Sequence, residues 1–172
     1  MKALVLAALG AAVVAGSALA DETRISFPQG YLTWSSFGAV DRYDRKTVRS
    51  FYVNPDALAK SLPGKPAPDG TILVMEERKA KLGADGNPER DAEGRFIKTD
   101  EIMMVAVQAN GPGWGAEYPP TKQNRNWEYA SFKADGSRVP DVKYDACFTC
   151  HLNRKDRDYT FVFAKFLQDR PR

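Results

Sequence analysis

One histidine and two cysteines are all that this 172-residue sequence holds of those two residue types. That scarcity excludes several kinds of chemistry. A single imidazole rules out histidine-based triads and rules out a bis-histidine haem within one chain. Two thiols and one imidazole fall short of the four ligands that close a structural zinc site. A strong excess of either charge is missing as well. The chain has 25 Lys+Arg against 22 Asp+Glu, a formal charge of +3, and the signs are mixed along its length, so nothing points to a nucleic-acid partner. Internal repeats are absent. Gly111-Pro112-Gly113 follows a strand pattern but lacks the rest of a dinucleotide-binding fingerprint.

Long apolar runs are scarce too. The one of note opens the chain: Lys2 precedes an apolar stretch over residues 3–15, interrupted only by Gly10, and Ala18-Leu19-Ala20 gives a small-x-small site before Asp21. This order of parts predicts a secretory signal over 1–20 and one domain over 21–172. No later run approaches the ~20 residues of a membrane span, so the mature chain is expected to carry none. Removing Lys2 with the signal leaves 24 basic against 22 acidic side chains, a net +2.

The few cysteines and the histidine are concentrated in one place. Cys147-Phe148-Thr149-Cys150-His151 is a Cys-x-x-Cys-His box, the attachment signal of c-type haem. Cys147 and Cys150 can bond the haem vinyl groups, and His151 can supply an axial nitrogen to the iron. A disulfide or a thioredoxin-type pair is the competing reading of the two thiols. The alternating βα frame of a thioredoxin site is not present. One covalent haem c per chain is therefore expected, with His151 as its proximal ligand. Export agrees with this, because c-type haem is attached outside the bacterial cytoplasm, and the expected compartment is the periplasm. The sixth iron position then falls to a methionine (Met75, Met103 or Met104), a lysine, another weak ligand, water, or nothing.

The remaining pattern is mainly β (α+β): an antiparallel sheet with a few short helices and a C-terminal haem-attachment segment. Strands are expected at 48–53, 71–78, 101–109 and 127–132, rich in β-branched and aromatic residues. Residues 54–60 read as a short helix with Asn54 as N-cap and Pro55 at its first position. Residues 27–34 read as a turn and a short helix or arm whose aromatics cap the core, and 41–46 as a loop. A helix is expected to run from 141 into the box, and 158–167 is ambiguous between strand and helix. Residues 83–95 read as the polar tip of a long hairpin. Its alternating acids do not match the spacing of an EF-hand loop.

Strand periodicity places side chains on faces. Arg49 shares a face with Phe51 and Val53. It is either a surface arginine lying along apolar atoms or a buried donor aimed at a ligand or a haem propionate. Met75 shares a face with Leu73, Glu77 and Lys79. Met75 is either a space-filling wall of a pocket or a thioether ligand of iron. Glu77 is a candidate proton relay or, alternatively, a solvated strand end.

With these parts in order, the chain resembles the cytochrome P-460 and cytochrome c′-beta family over about residues 27–166. The resemblance rests on Val48-Arg49-Ser50-Phe51-Tyr52-Val53-Asn54-Pro55, Asp69-Gly70-Thr71-Ile72-Leu73-Val74, Gly113-Trp114, Trp127, the late haem box and residues 158–161. It implies a mainly antiparallel sheet, a five-coordinate c-type haem with a distal pocket, and a homodimer. It also implies a distal role for Arg49. In the P-460 branch a lysine is cross-linked to the porphyrin and hydroxylamine is oxidised; in the c′-beta branch a hydrophobic pocket binds nitric oxide. The cross-linking position falls at Met75. Lys79 lies about 13 Å further along the strand at ~3.3 Å per residue, beyond the reach of a substitute. The expected function is a periplasmic mono-haem cytochrome that binds nitric oxide at an open distal site and exchanges electrons with a redox partner protein. The alternatives are a hydroxylamine-oxidising enzyme using Arg49 and Glu77, and an electron carrier with Met75 on the iron.

Overall fold

The computed structural model describes residues 24–170. The expected signal, residues 1–20, lies outside the described residues. Five strands form one sheet in simple sequence order, all neighbours antiparallel. They are β1 (Ser35–Arg42), β2 (Thr47–Val53), β3 (Ile72–Ala80), β4 (Lys98–Asn110) and β5 (Trp127–Phe132). Three short α-helices accompany them: α1 (Pro55–Lys60) between β2 and β3, then α2 (Asp145–Leu152) and α3 (Phe163–Asp169) after β5. Among these residues no helix is long and apolar enough to cross a membrane. The mainly β architecture agrees with the sequence pattern, and four of the strands fall where they were expected.

The strand β1 was not expected. Ser35, Ser36, Gly38 and Ala39 lack the β-branched signature, and the strand is made by its pairing with β2. A bulge between Ser36 and Gly38 adds Phe37 as an extra residue. Phe37 is buried and packs on Phe51, Phe163 and Phe166.

The pleat divides the hydrophobic residues between two cores. One face carries Tyr52, Val74, Val105, Val107, Ala130 and Phe132, covered by Ile25, Phe27, Tyr31 and Trp34. The aromatics of 27–34 do cap a core: Phe27 meets Phe132 edge-on at 5.5 Å and Tyr31 meets Tyr52 at 5.5 Å. Glu76 lies within this face, fully buried. It accepts the Tyr31 hydroxyl at 2.5 Å and Arg78 Nε at 2.5 Å. The opposite face buries Val53, Leu73 and Trp127 at one end, under Phe37, Leu58, Tyr159, Phe163 and Leu167.

Two local expectations change. Asn54 makes no side-chain cap on α1. Its Oδ1 accepts the Ile72 N–H at 2.8 Å and its Nδ2 donates to the Gly70 carbonyl, so it ties the helix start to β3 instead. Residues 141–144 form a turn before α2, and 158–162 an irregular segment before the α3 helix. The polar 83–95 excursion is the β3–β4 hairpin connection. Asp85 and Asp91 spend their carboxylates on the N–H groups of Asn87, Glu93 and Arg95, which is turn chemistry.

Candidate functional site

The helix α2 carries the whole box. Asp145 in its first turn suits the positive end of the helix dipole. At helical spacing Cys147 and Cys150 fall three residues apart and His151 four residues from Cys147, so all three share one side. Both thiols are free. Burial, with the neighbouring Cys150, raises the Cys147 thiol above its ordinary value. Phe148 is buried against Tyr118 at 4.7 Å and Tyr129 at 4.9 Å. Asn124, fully buried, donates to the Phe148 carbonyl at 3.0 Å and to the Tyr129 hydroxyl at 2.8 Å. These contacts pin the helix to β5 and fix where the box faces.

His151 is held from three directions. Tyr129 lies 4.7 Å from its ring, and Phe161 meets it edge-on at 5.0 Å. Its Nδ1 lies 2.6 Å from the Tyr159 carbonyl oxygen. A carbonyl only accepts, so Nδ1 carries the hydrogen and Nε2 is left with its lone pair for a metal. Burial lowers the imidazole's affinity for a second proton, which keeps the ligating form.

The Tyr159 carbonyl is itself set by an unusual turn. Asp158 and Tyr159 are consecutive non-glycine residues with φ of 48° and 58°, a conformation that needs outside support. Asp158 supplies it by accepting the Ala67 N–H at 2.7 Å and pairing with Arg125 at 3.0 Å.

The sheet face opposite is ordered by register. Val53, Leu73, Gln108 and Tyr129 form one cross-strand row; Phe51, Met75 and Ala106 the next; Arg49, Glu77 and Met104 the third. His151 packs on the Tyr129 end of the first row. Met75 therefore stands about 7 Å along the strands from that row, and Arg49 and Glu77 about 13 Å. Phe51, Met75 and Ala106 are half-buried, so this apolar row presents a partly open surface.

Glu77 is not a solvated strand end. It is buried, accepting Thr47 Oγ1 at 2.7 Å and Arg49 Nη2 at 3.1 Å. β3 runs on to Ala80, and Glu77 is paired with Arg49 of β2 on one side and Met104 of β4 on the other. Arg49 is half-buried, and its Nε is buried without a partner among the described residues. Such an orphan donor suits an acidic or polar group that completes the site. Met103 is not on this face: Met104 takes the place beside Glu77, the β3–β4 register slips between Glu77 and Arg78, and Met103 is exposed to solvent. Lys79 pairs with Glu101 at 2.7 Å and Lys81 with Glu89 at 2.6 Å, so neither is directed at Met75. A cleft of about 480 Å³ beside α2 shares Tyr129 and Phe148 with the site but includes none of Met75, Arg49 and Glu77.

Free thiols one turn apart, an imidazole with only Nε2 available, an apolar row and an orphan guanidinium donor fit a haem. A meander sheet that seats a late Cys-x-x-Cys-His helix against one face defines a β-type cytochrome rather than a helical one. The family model for cytochrome P460 matches residues 28–162, and the chain belongs to that family, which is a family of haem c cytochromes. Among curated proteins none matches the chain.

Sequence reasoning placed Cys147, Cys150 and His151 together on one helix, and the structure agrees. It grouped Arg49 with Phe51 and Val53 on one strand and Met75 with Glu77 on the next, and the β2–β3 register brings the two groups onto one face. It missed Tyr129, Gln108 and Phe161 around the histidine. Gln108 carried a signal, being the one strongly polar side chain between Ile102 and Ala109.

Proposed function

We propose that this chain is an exported mono-haem cytochrome that binds nitric oxide at a distal site open on the sheet side. Cys147 and Cys150 hold one haem through thioethers, and His151 Nε2 ligates its iron. The haem supplies an iron with one coordination position free for a small ligand. The single observation that carries this reading is the Phe51–Met75–Ala106 row, which is apolar at the position where hydroxylamine-oxidising relatives are expected to present the cross-linking lysine. An apolar wall favours a small neutral ligand and excludes water that would compete for the iron.

Arg49 closes the far end of this wall as a hydrogen-bond donor to the ligand or to a propionate. Glu77 holds its guanidinium in place. A buried carboxylate beside an arginine also suits proton handling, and this pair is what favours hydroxylamine oxidation as the second reading. The signal-like start at residues 1–20 supports a periplasmic setting, and the family resemblance supports a homodimer and a protein redox partner.

The test is nitric oxide release. Arg49→Leu removes one charge-assisted hydrogen bond worth about 1.5 kcal/mol, so the ligand should dissociate about tenfold faster. Stopped-flow trapping of released nitric oxide from the ferrous protein measures this. An unchanged rate would remove Arg49 from the ligand site.

A further inference from the structure

The Tyr159 carbonyl accepts two hydrogen bonds. One comes from His151 Nδ1 at 2.6 Å and the other from Gln108 Nε2 at 3.0 Å. We propose that Gln108 is the positioning residue of the proximal ligand: by sharing this carbonyl it sets how strongly His151 donates to iron. The inference rests on His151 being the iron ligand.

The physical basis is the limited electron density of one oxygen. A carbonyl has two lone pairs, so both donors can be satisfied at once. Each donor draws density toward itself and leaves the oxygen a poorer acceptor for the other. The Nδ1–H bond controls the basicity of the imidazole: a stronger acceptor there pushes density through the ring toward Nε2 and the metal. Gln108 therefore moderates that push. A bare carbonyl would make His151 a stronger donor and favour the ferric state.

The arrangement is built rather than incidental. Gln108 lies on β4 in the row Leu73–Gln108–Tyr129, and Tyr129 touches the His151 ring. The acceptor is fixed by the left-handed pair Asp158-Tyr159, and Asp158 is clamped by Ala67 and Arg125. The carbonyl cannot turn away from one donor to favour the other. A glutamine within an otherwise apolar stretch of β4 has no other side-chain hydrogen bond among the described residues.

The experiment uses the holoprotein. Resonance Raman spectroscopy of the ferrous form reads the iron–histidine stretch, and a redox titration reads the midpoint potential. In Gln108→Leu the stretch should move to higher frequency. The reduction equilibrium should shift about fivefold toward ferric iron, the effect of one hydrogen bond of ~1 kcal/mol, or about 40 mV lower in potential at 59 mV per tenfold. Gln108→Met keeps length and volume without an N–H and should give the same two shifts. Thr99→Val, which removes a β4 side-chain hydrogen bond to the Lys79 carbonyl away from the box, should give neither. A wild-type iron–histidine mode that stays fixed in both Gln108 variants would overturn the proposal and leave His151 as the ligand. A wild-type protein with no such mode would overturn the ligation itself, and the proposal with it.

Discussion

Replacing His151 with alanine is expected to abolish the iron–nitrogen bond while leaving the haem attached. On the proposed reading the two functions of the box are separable, because Cys147 and Cys150 would hold the macrocycle and His151 alone would reach the metal. No second imidazole exists to replace it. The variant also leaves a ring-shaped gap. Tyr129 and Phe161 flank the imidazole at 4.7 and 5.0 Å, and the Tyr159 carbonyl waits at its edge as an acceptor. Added imidazole has the shape and the N–H to fill that gap. The alkaline pyridine spectrum of the variant should still report covalent haem, its ferrous Raman spectrum should lose the iron–histidine mode, and imidazole should restore it. A variant with unchanged ligation would refute the proximal assignment.

The second large effect concerns stability. Glu76→Ala is expected to destabilise the fold by about 3–5 kcal/mol, because it leaves one member of a buried ion pair without its partner. Glu76 is fully buried, and the Arg78 side chain is only 13% exposed. The Tyr31 hydroxyl, at 2.5 Å from the carboxylate, would lose its acceptor as well. A loss of that size is a large share of the ~5–15 kcal/mol that holds a domain folded. The same cluster gives a pH dependence. Burial alone would raise the Glu76 carboxyl, but the bonds from Arg78 and Tyr31 outweigh it and the net displacement is downward from 4.5. A carboxylate whose folded value lies below its unfolded value stabilises fully above the unfolded value, and that contribution disappears as pH falls through the folded value. Urea denaturation followed from pH 7 down into the acid should therefore show the wild type losing stability below about 4.5. Glu76→Gln, which has no charge to lose, should show a flatter profile there.

How much of this was legible beforehand follows from where the information lies. The box was readable because its chemistry is carried by contiguous residues at fixed spacing. Four strands were readable because Val, Ile, Phe and Tyr alternate within them. The strand β1 was not, because small residues at an edge adopt extended structure through pairing rather than propensity. Period alone grouped Arg49 with Phe51 and Val53, and Met75 with Leu73 and Glu77, each within its own strand. The burial of Glu77 could not be read this way, since it depends on Thr47 and Arg49 arriving from β2, and register between strands is a tertiary outcome. The support of His151 was hidden for the same reason. Gln108, Tyr129 and Tyr159 come from β4, β5 and the turn before α3, and they meet only once the sheet has formed.

The central claim is a His151-ligated haem whose other side faces an apolar, lysine-free pocket open to nitric oxide. The absorption spectrum of the purified ferrous protein, before and after nitric oxide, tests it most directly. The account predicts an ordinary five-coordinate high-spin spectrum that changes on adding the gas. A Soret band shifted far to the red would reveal a porphyrin cross-link and favour hydroxylamine oxidation. A low-spin six-coordinate spectrum, indifferent to nitric oxide and converted to high spin by Met75→Ala, would contradict the account by placing Met75 on the iron.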